Sequence, residues 1–301
     1  MAIISSTRHT SSLRKHLPRY LIHIFFIVLC SMWLFPILLV ISASLSDETQ
    51  IFTKGFSIIP RGFTTESYKY LFNQPEIIIR SYGVTSLVAV VGTASSVFMM
   101  ALLGYTLSRS RFILRRQFSV YVLITMLFSG GLVPSYLLMT KYLHLNNTVL
   151  SLILPFLFSG YLTLILRTYF AGLPEEIFES ARLDGAGEPR IFFTFVIPLS
   201  VPVLATVGLF MFLAYWNDFF LALLYITNRD LYPLQFLLNQ IMTNSKFAKE
   251  AAMAGISTNT NVIPLETLRM AMAVVATGPA ALVFLLTNRY LISGITLGAF
   301  K

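Results

Sequence analysis

The stretch PEEIFESARLDGAGEPRIFFTFVIP, residues 174–198, is a long, polar, acid-rich insert between two strongly apolar segments. Pro174 suits the first position of a helix, where its missing N–H costs nothing, and Glu175 and Glu176 follow in the turn where the helix dipole favours negative charge. The pattern predicts a helix toward Leu183, a stop at Asp184-Gly185, a restart at Glu188-Pro189 and an end near Pro198. Ile177, Phe178 and Ala181 fall at helical spacing, so an apolar face flanked by carboxylates is expected to project into water and to require a partner.

The rest of the chain sets this insert in a membrane. Of 301 residues 56% are hydrophobic and only 12% charged, with a mean hydropathy of +0.74, which excludes an ordinary soluble domain. The net charge of +9 would suit nucleic acid, but the basic residues stand beside apolar runs, as the positive-inside rule places them. The one cysteine, Cys30, lies within an apolar run, so no intramolecular disulfide forms and a buried, inert thiol is expected.

Residues 1–19 form a polar, cytoplasmic N-terminal segment with Arg8, Arg14, Lys15 and Arg19, ahead of an apolar run at 20–45 that is too long for the core of a cleaved signal. Further crossings are expected at 82–107, 118–140, 149–170, 199–226 and 271–292, each near the roughly 20 residues a spanning helix needs. Six crossings put both termini inside. Arg109, Arg111, Arg115 and Arg116 then hold the connector after the second span in the cytoplasm, and 174–198 falls on that same side. Between the first two spans, 47–80 reads as an ordered external loop. The polar 227–269 segment is a second external excursion, with LYPLQFLLNQIM as an amphipathic piece. Glycines and serines from Gly83 to Gly104 allow close helix approach, and Pro134, Pro155 and Pro202 mark kinks or helix edges.

Chemistry is sparse. No G-x4-G-K-[ST] run cradles nucleotide phosphates, the histidines at 9, 16, 23 and 144 lack metal-ligand spacing, and no G-x-S-x-G elbow occurs. Any energy input therefore comes from another subunit or from an ion gradient. Trp216-Asn217-Asp218 inside the fifth span is the best polar cluster for a solute path. A carboxylate at membrane depth must face protein or water, so an interhelical hydrogen-bond clamp or a group near the external interface is the competing reading.

Glu179, Ser180 and Ala181, three residues, Gly185, nine residues and then Phe195-Val196-Ile197-Pro198 resemble the EAA loop of binding-protein-dependent ABC importer permeases, usually E-A-A-x3-G-x9-I-x-L-P. Ser180, Phe195 and Ile197 depart from that pattern while keeping small or apolar character. YWNDFFLALLY looks like the fifth-helix segment of carbohydrate-uptake permeases. FSGGLVPSYLL, SLILP, RDLYPLQ, MAMAVVATGP and GITLGAFK are similar to the polysaccharide-type subfamily related to the maltose importer's smaller permease, which includes a subunit of an alginate importer.

The resemblance implies an all-α, six-span type I importer permease in the bacterial inner membrane. It implies a second homologous permease, two ATPase subunits that bind ATP and Mg, and a periplasmic or extracellular substrate-binding protein, with no cofactor or catalytic residue in this chain. Glu179, Ser180, Ala181, Asp184, Gly185, Ile177, Phe178 and Pro198 would couple to an ATPase. Trp216, Asn217, Phe219 and Phe220 would meet a sugar, aromatic rings suiting its faces and amides its hydroxyls, with Asp218 holding a rim position. A permease for another solute such as a peptide, or an ion-coupled transporter built around Asp218, stays open at this level.

Overall fold

A computed structural model describes residues 10–253 and 264–297. The opening segment with Arg8, part of the 227–269 excursion and the last four residues of the GITLGAFK stretch lie outside the described residues. All regular structure among the described residues is helical, the arrangement that lets a backbone satisfy its own hydrogen bonds in hydrocarbon. The chain divides into two units, 1–73 with 248–275 and 74–247 with 276–301.

The first unit opens with α1 (Thr10–Ser44), whose apolar stretch from Tyr20 is long enough to cross a bilayer and is left uncovered by this chain until its last turn, where Ser42, Ala43 and Ser44 are buried. Cys30 is consequently exposed on α1, not buried as its apolar surroundings suggested. After α1 the expected external loop is ordered and partly helical. α2 (Glu48–Lys54) is capped by the Asp47 carboxylate, which accepts the N–H groups of Thr49 (3.0 Å) and Gln50 (3.1 Å). The loop then closes on itself: the Asp47 N–H donates to the Arg61 carbonyl and that of Thr64 to the Leu45 carbonyl, both at 3.0 Å. α3 (Glu66–Leu71) follows. Buried Glu48 uses one carboxylate oxygen to accept the N–H groups of Glu266 (3.1 Å) and Thr267 (3.2 Å) and the Thr267 hydroxyl (3.2 Å). The Ser67 hydroxyl adds a 2.7 Å bond to Thr267 Oγ1. A residue of the first loop thus caps the helix that begins at Leu265.

In the second unit the central post is α4 (Pro75–Ser108), which starts at Pro75, ahead of the expected 82, because Pro75 and Glu76 suit a first turn. It buries the small residues Gly92, Ser96 and Gly104. A Cβ on Gly92 would stand 2.6 Å from the Tyr215 ring, and one on Gly104 would stand 3.1 Å from Leu166 Cβ. The Ser96 hydroxyl bonds the Tyr215 hydroxyl at 2.9 Å, and the latter donates to the Ile153 carbonyl at 3.0 Å. Small residues let backbones approach and dispersion contacts accumulate where lipid supplies no hydrophobic drive.

The third, fourth and fifth expected spans are not single helices. α5 (Arg115–Leu127) meets α6 (Leu132–Leu137), which continues as a π turn to Tyr142, at a 108° bend. Gly130-Gly131 lies at the break, Gly131 with φ 87°. α7 (Val149–Ile153) passes through a short 3-10 turn containing Pro155 and bends 56° into α8 (Gly160–Ala171). The insert supplies α9 (Glu175–Leu183), α10 (Glu188–Ile191), a π turn and α11 (Ile197–Leu199), which meet α12 (Val201–Asn217) at 82°. Pro198 and Pro202 flank that corner, removing N–H donors where the ladder is interrupted. The fifth expected span ends in α13 (Phe220–Tyr225). α14 (Leu234–Met253) contains the amphipathic piece of the excursion, and α15 (Leu265–Leu297) carries Pro279 in its interior.

Candidate functional site

The insert starts and stops its first helix within a residue of where the sequence reads. Pro174 occupies the N-cap of α9 rather than its first turn, with φ −57° and ψ 126°. At the other end Gly185 has φ +79°, the Gly185 N–H reaches the Arg182 carbonyl at 3.0 Å and the Ala186 N–H reaches that of Ala181 at 2.9 Å. This is a Schellman stop, which a left-handed residue makes inexpensive.

The apolar face of α9 turns inward, against expectation. Phe178 is fully buried and Ala181 nearly so, because this chain itself supplies the cover. The guanidinium carbon of Arg109 lies 4.0 Å from the centre of the Phe178 ring and 5.0 Å from that of Tyr105. Arg109 is 7% exposed; its Nη2 donates to the Phe170 carbonyl at 2.8 Å and its Nη1 stands 3.4 Å from Glu175. Glu175 also pairs with Arg182 at 3.3 Å, Arg182 with Glu188 at 3.2 Å, and the Tyr105 hydroxyl donates to Glu188 at 2.5 Å. Partial burial pushes the Glu188 carboxyl up; the Tyr105 hydroxyl and the Arg182 guanidinium outweigh it, so the group sits below its usual range.

Two arginines and two glutamates therefore close a neutral ring that fastens α9 to the ends of α4 and α8. Glu176, Glu179, Ser180, Leu183, Asp184 and Gly185 are left on the outer face, Leu183 with 89% exposure, while Ile177 is half-buried and Pro198 exposed. Among the described residues Glu176, Glu179 and Asp184 make no ion pair. The Ser180 hydroxyl bonds back to the carbonyls of Glu176 (3.0 Å) and Ile177 (3.2 Å), which keeps it small and self-satisfied, much as an alanine would be. An acid-rimmed apolar knob on a braced helix is chemically fit to enter a basic-edged cleft.

Near the other cluster the helix ends between its two polar residues. Trp216 is buried: its indole N–H donates to the Ala276 carbonyl at 3.0 Å and its ring stacks on Phe212, which makes it a packing clamp rather than a solute contact. Asn217, the last residue of α12, is exposed; its amide donates to the Leu213 carbonyl at 2.9 Å and accepts from Gln235 at 3.5 Å. Asp218 lies outside the helix and accepts the Leu221 N–H at 3.1 Å, so it starts α13. Phe219 and Phe220 are 42% and 43% exposed. Gln235 escaped the sequence reading, although RDLYPLQ and the amphipathic pattern of α14 contain it.

Residues 2–296 match the family model described as the binding-protein-dependent transport system inner membrane component. The chain belongs to that family. It is a permease of the ABC transport type, a membrane subunit of a transport system. The chain is 36% identical to the polygalacturonan/rhamnogalacturonan transport system permease protein YtcP of Bacillus subtilis, over 93% of this chain and 97% of that one. It is 27% identical to the arabinooligosaccharides transport system permease protein AraQ of Bacillus subtilis, over 95% and 99%. A crystal structure of a bacterial ABC transporter involved in the import of the acidic polysaccharide alginate contains a chain with TM-score 0.76 and 24% identity, covering 95% of this chain and 99% of that chain. That likeness, with the family match, gives the chain the type I permease fold.

Proposed function

We propose that this permease is one half of the translocation path of an ATP-driven importer of oligosaccharides or polysaccharide fragments, with uronate-containing glycans of the pectic kind as the first class to test. The observation that carries this reading is the 36% identity, over nearly the whole of both chains, to a permease whose name assigns it polygalacturonan and rhamnogalacturonan. Its partners on this reading are a second homologous permease, two ATPase subunits carrying ATP and Mg, and a substrate-binding protein outside. The outer face of α9, with Glu179 and Leu183, enters a cleft on an ATPase subunit. Closure of the ATPase pair moves α9, and the Arg109 ring passes that motion to α4 and α8, so that access changes side. Asn217, Gln235, Phe219 and Phe220 offer amides and ring faces to sugar hydroxyls. Both termini face the cytoplasm.

Uptake of labelled galacturonate and neutral arabinose oligosaccharides by cells with and without this chain tests the reading. Loss of saccharide uptake alone supports it. Unchanged saccharide uptake with loss of peptide uptake overturns it.

A further inference from the structure

Away from α9, a groove of about 580 Å³ opens between α5 and α8, lined by Arg115, Arg116, Ser119, Val120, Leu123, Leu164 and Arg167. The two helices touch at one end, where a Cβ on Gly160 would stand 2.6 Å from Met126. At the other end they carry the three arginines. No carboxylate pairs with Arg115, Arg116 or Arg167 among the described residues, and none lines the groove. Arg115 and Arg116 occupy the first turn of α5, which has no acid of its own. The helix dipole opposes cations there, so folding gains nothing from them, whereas an anion placed between them would be favoured.

The positive-inside rule accounts for the presence of all three arginines near span ends, but not for their convergence on one groove, with Arg167 on α8 four residues before its end and Arg115 and Arg116 on α5. Arg167 is half-buried and its Nε donates to the Leu107 carbonyl at 3.4 Å, which holds the side chain in place while its terminal nitrogens stay available to the groove. Val120 and Leu123 are 48% and 44% exposed, giving the same groove an apolar half that continues into the membrane. A cluster of cations at the edge of the hydrocarbon with an apolar track below it is complementary to a molecule with one anionic head and an attached chain.

We propose that this groove binds an anionic phospholipid, with Arg115, Arg116 and Arg167 on the headgroup phosphate and Val120, Leu123 and Leu164 along the first part of an acyl chain. The test is native mass spectrometry of the purified full-length chain titrated with phosphatidylglycerol or phosphatidylcholine. The chain should retain phosphatidylglycerol in preference. Arg167→Gln should weaken retention by roughly tenfold, while Arg111→Gln, which removes an equal charge from the connector outside the groove, should not. Should Arg167→Gln fail to fold, Val120→Trp fills the apolar half with all three arginines intact and should also lower retention. Equal effects of Arg167→Gln and Arg111→Gln, no effect of Val120→Trp, or displacement of the lipid by inorganic phosphate at equal concentration would each overturn the assignment.

Discussion

The Arg109 guanidinium stacks 4.0 Å over the Phe178 ring while donating to the Phe170 carbonyl, so one side chain from the end of α4 holds both α8 and the insert helix α9. Guanidinium suits this position because its plane covers a ring while its edge forms two directed hydrogen bonds. A lysine ammonium offers a point charge instead.

Arg109→Met should therefore loosen α9 by about 2–3 kcal/mol, the range for a buried hydrogen bond to a charged group. Arg109→Lys should recover only part of this. In reconstituted complexes we expect solute uptake to fall more than basal ATP hydrolysis, and equal losses of both would show that the residue only maintains the fold.

Glu179→Lys places a cation on the acidic outer face and should weaken association with the ATPase subunit by about 2–5 kcal/mol where its partner charge is desolvated. Leu183→Asp tests the apolar centre of the same face. Co-purification of the ATPase checks both variants, and undiminished yield with normal uptake would move the docking surface elsewhere.

A Cβ at Gly185 would meet nothing within 4 Å, yet its φ is +79°. Gly185→Val should thus cost about 1–3 kcal/mol through backbone strain alone, and Gly185→Asn distinctly less because asparagine tolerates that region. Ranking the thermal stabilities of the variants in detergent decides it; equal values would mean the Schellman stop is not what shapes the bend.

Asn217→Leu should reduce uptake with assembly unchanged, since the exposed amide has only a long bond to Gln235 besides its own helix. Asp218→Ala removes the acceptor that starts α13 and should lower stability by about 1 kcal/mol. Asp218→Asn keeps an acceptor oxygen and should be milder. Transport lost in Asp218→Asn but intact in Asn217→Leu would reverse the roles.

The insert was legible because its signals are local. Glu175-Glu176 and Asp184-Gly185 are end markers that work within one turn, and they emerge in the structure as the ends of α9. The apolar face of α9 was placed on the wrong side because its cover, Arg109, comes from 69 positions earlier and reads in sequence as one more topogenic charge. Likewise the polar run at Asn217-Asp218 looked helical by composition. Only the carboxylate's bond to the Leu221 N–H shows that the chain breaks and restarts there. Small residues on α4 were readable as contact points, but not that Gly92 faces Tyr215, since pairing across helices leaves no mark on either strand of sequence.

Glu48 caps a helix whose first residues lie 218 and 219 positions downstream. A ribosome delivers the carboxylate early and its amide partners almost last. Before that helix exists, the Glu48 carboxyl lacks these donors and is better placed in water than buried. The permease thus ties its first loop to a helix made far downstream, and any break in that tie leaves the Glu48 carboxylate without its three donors.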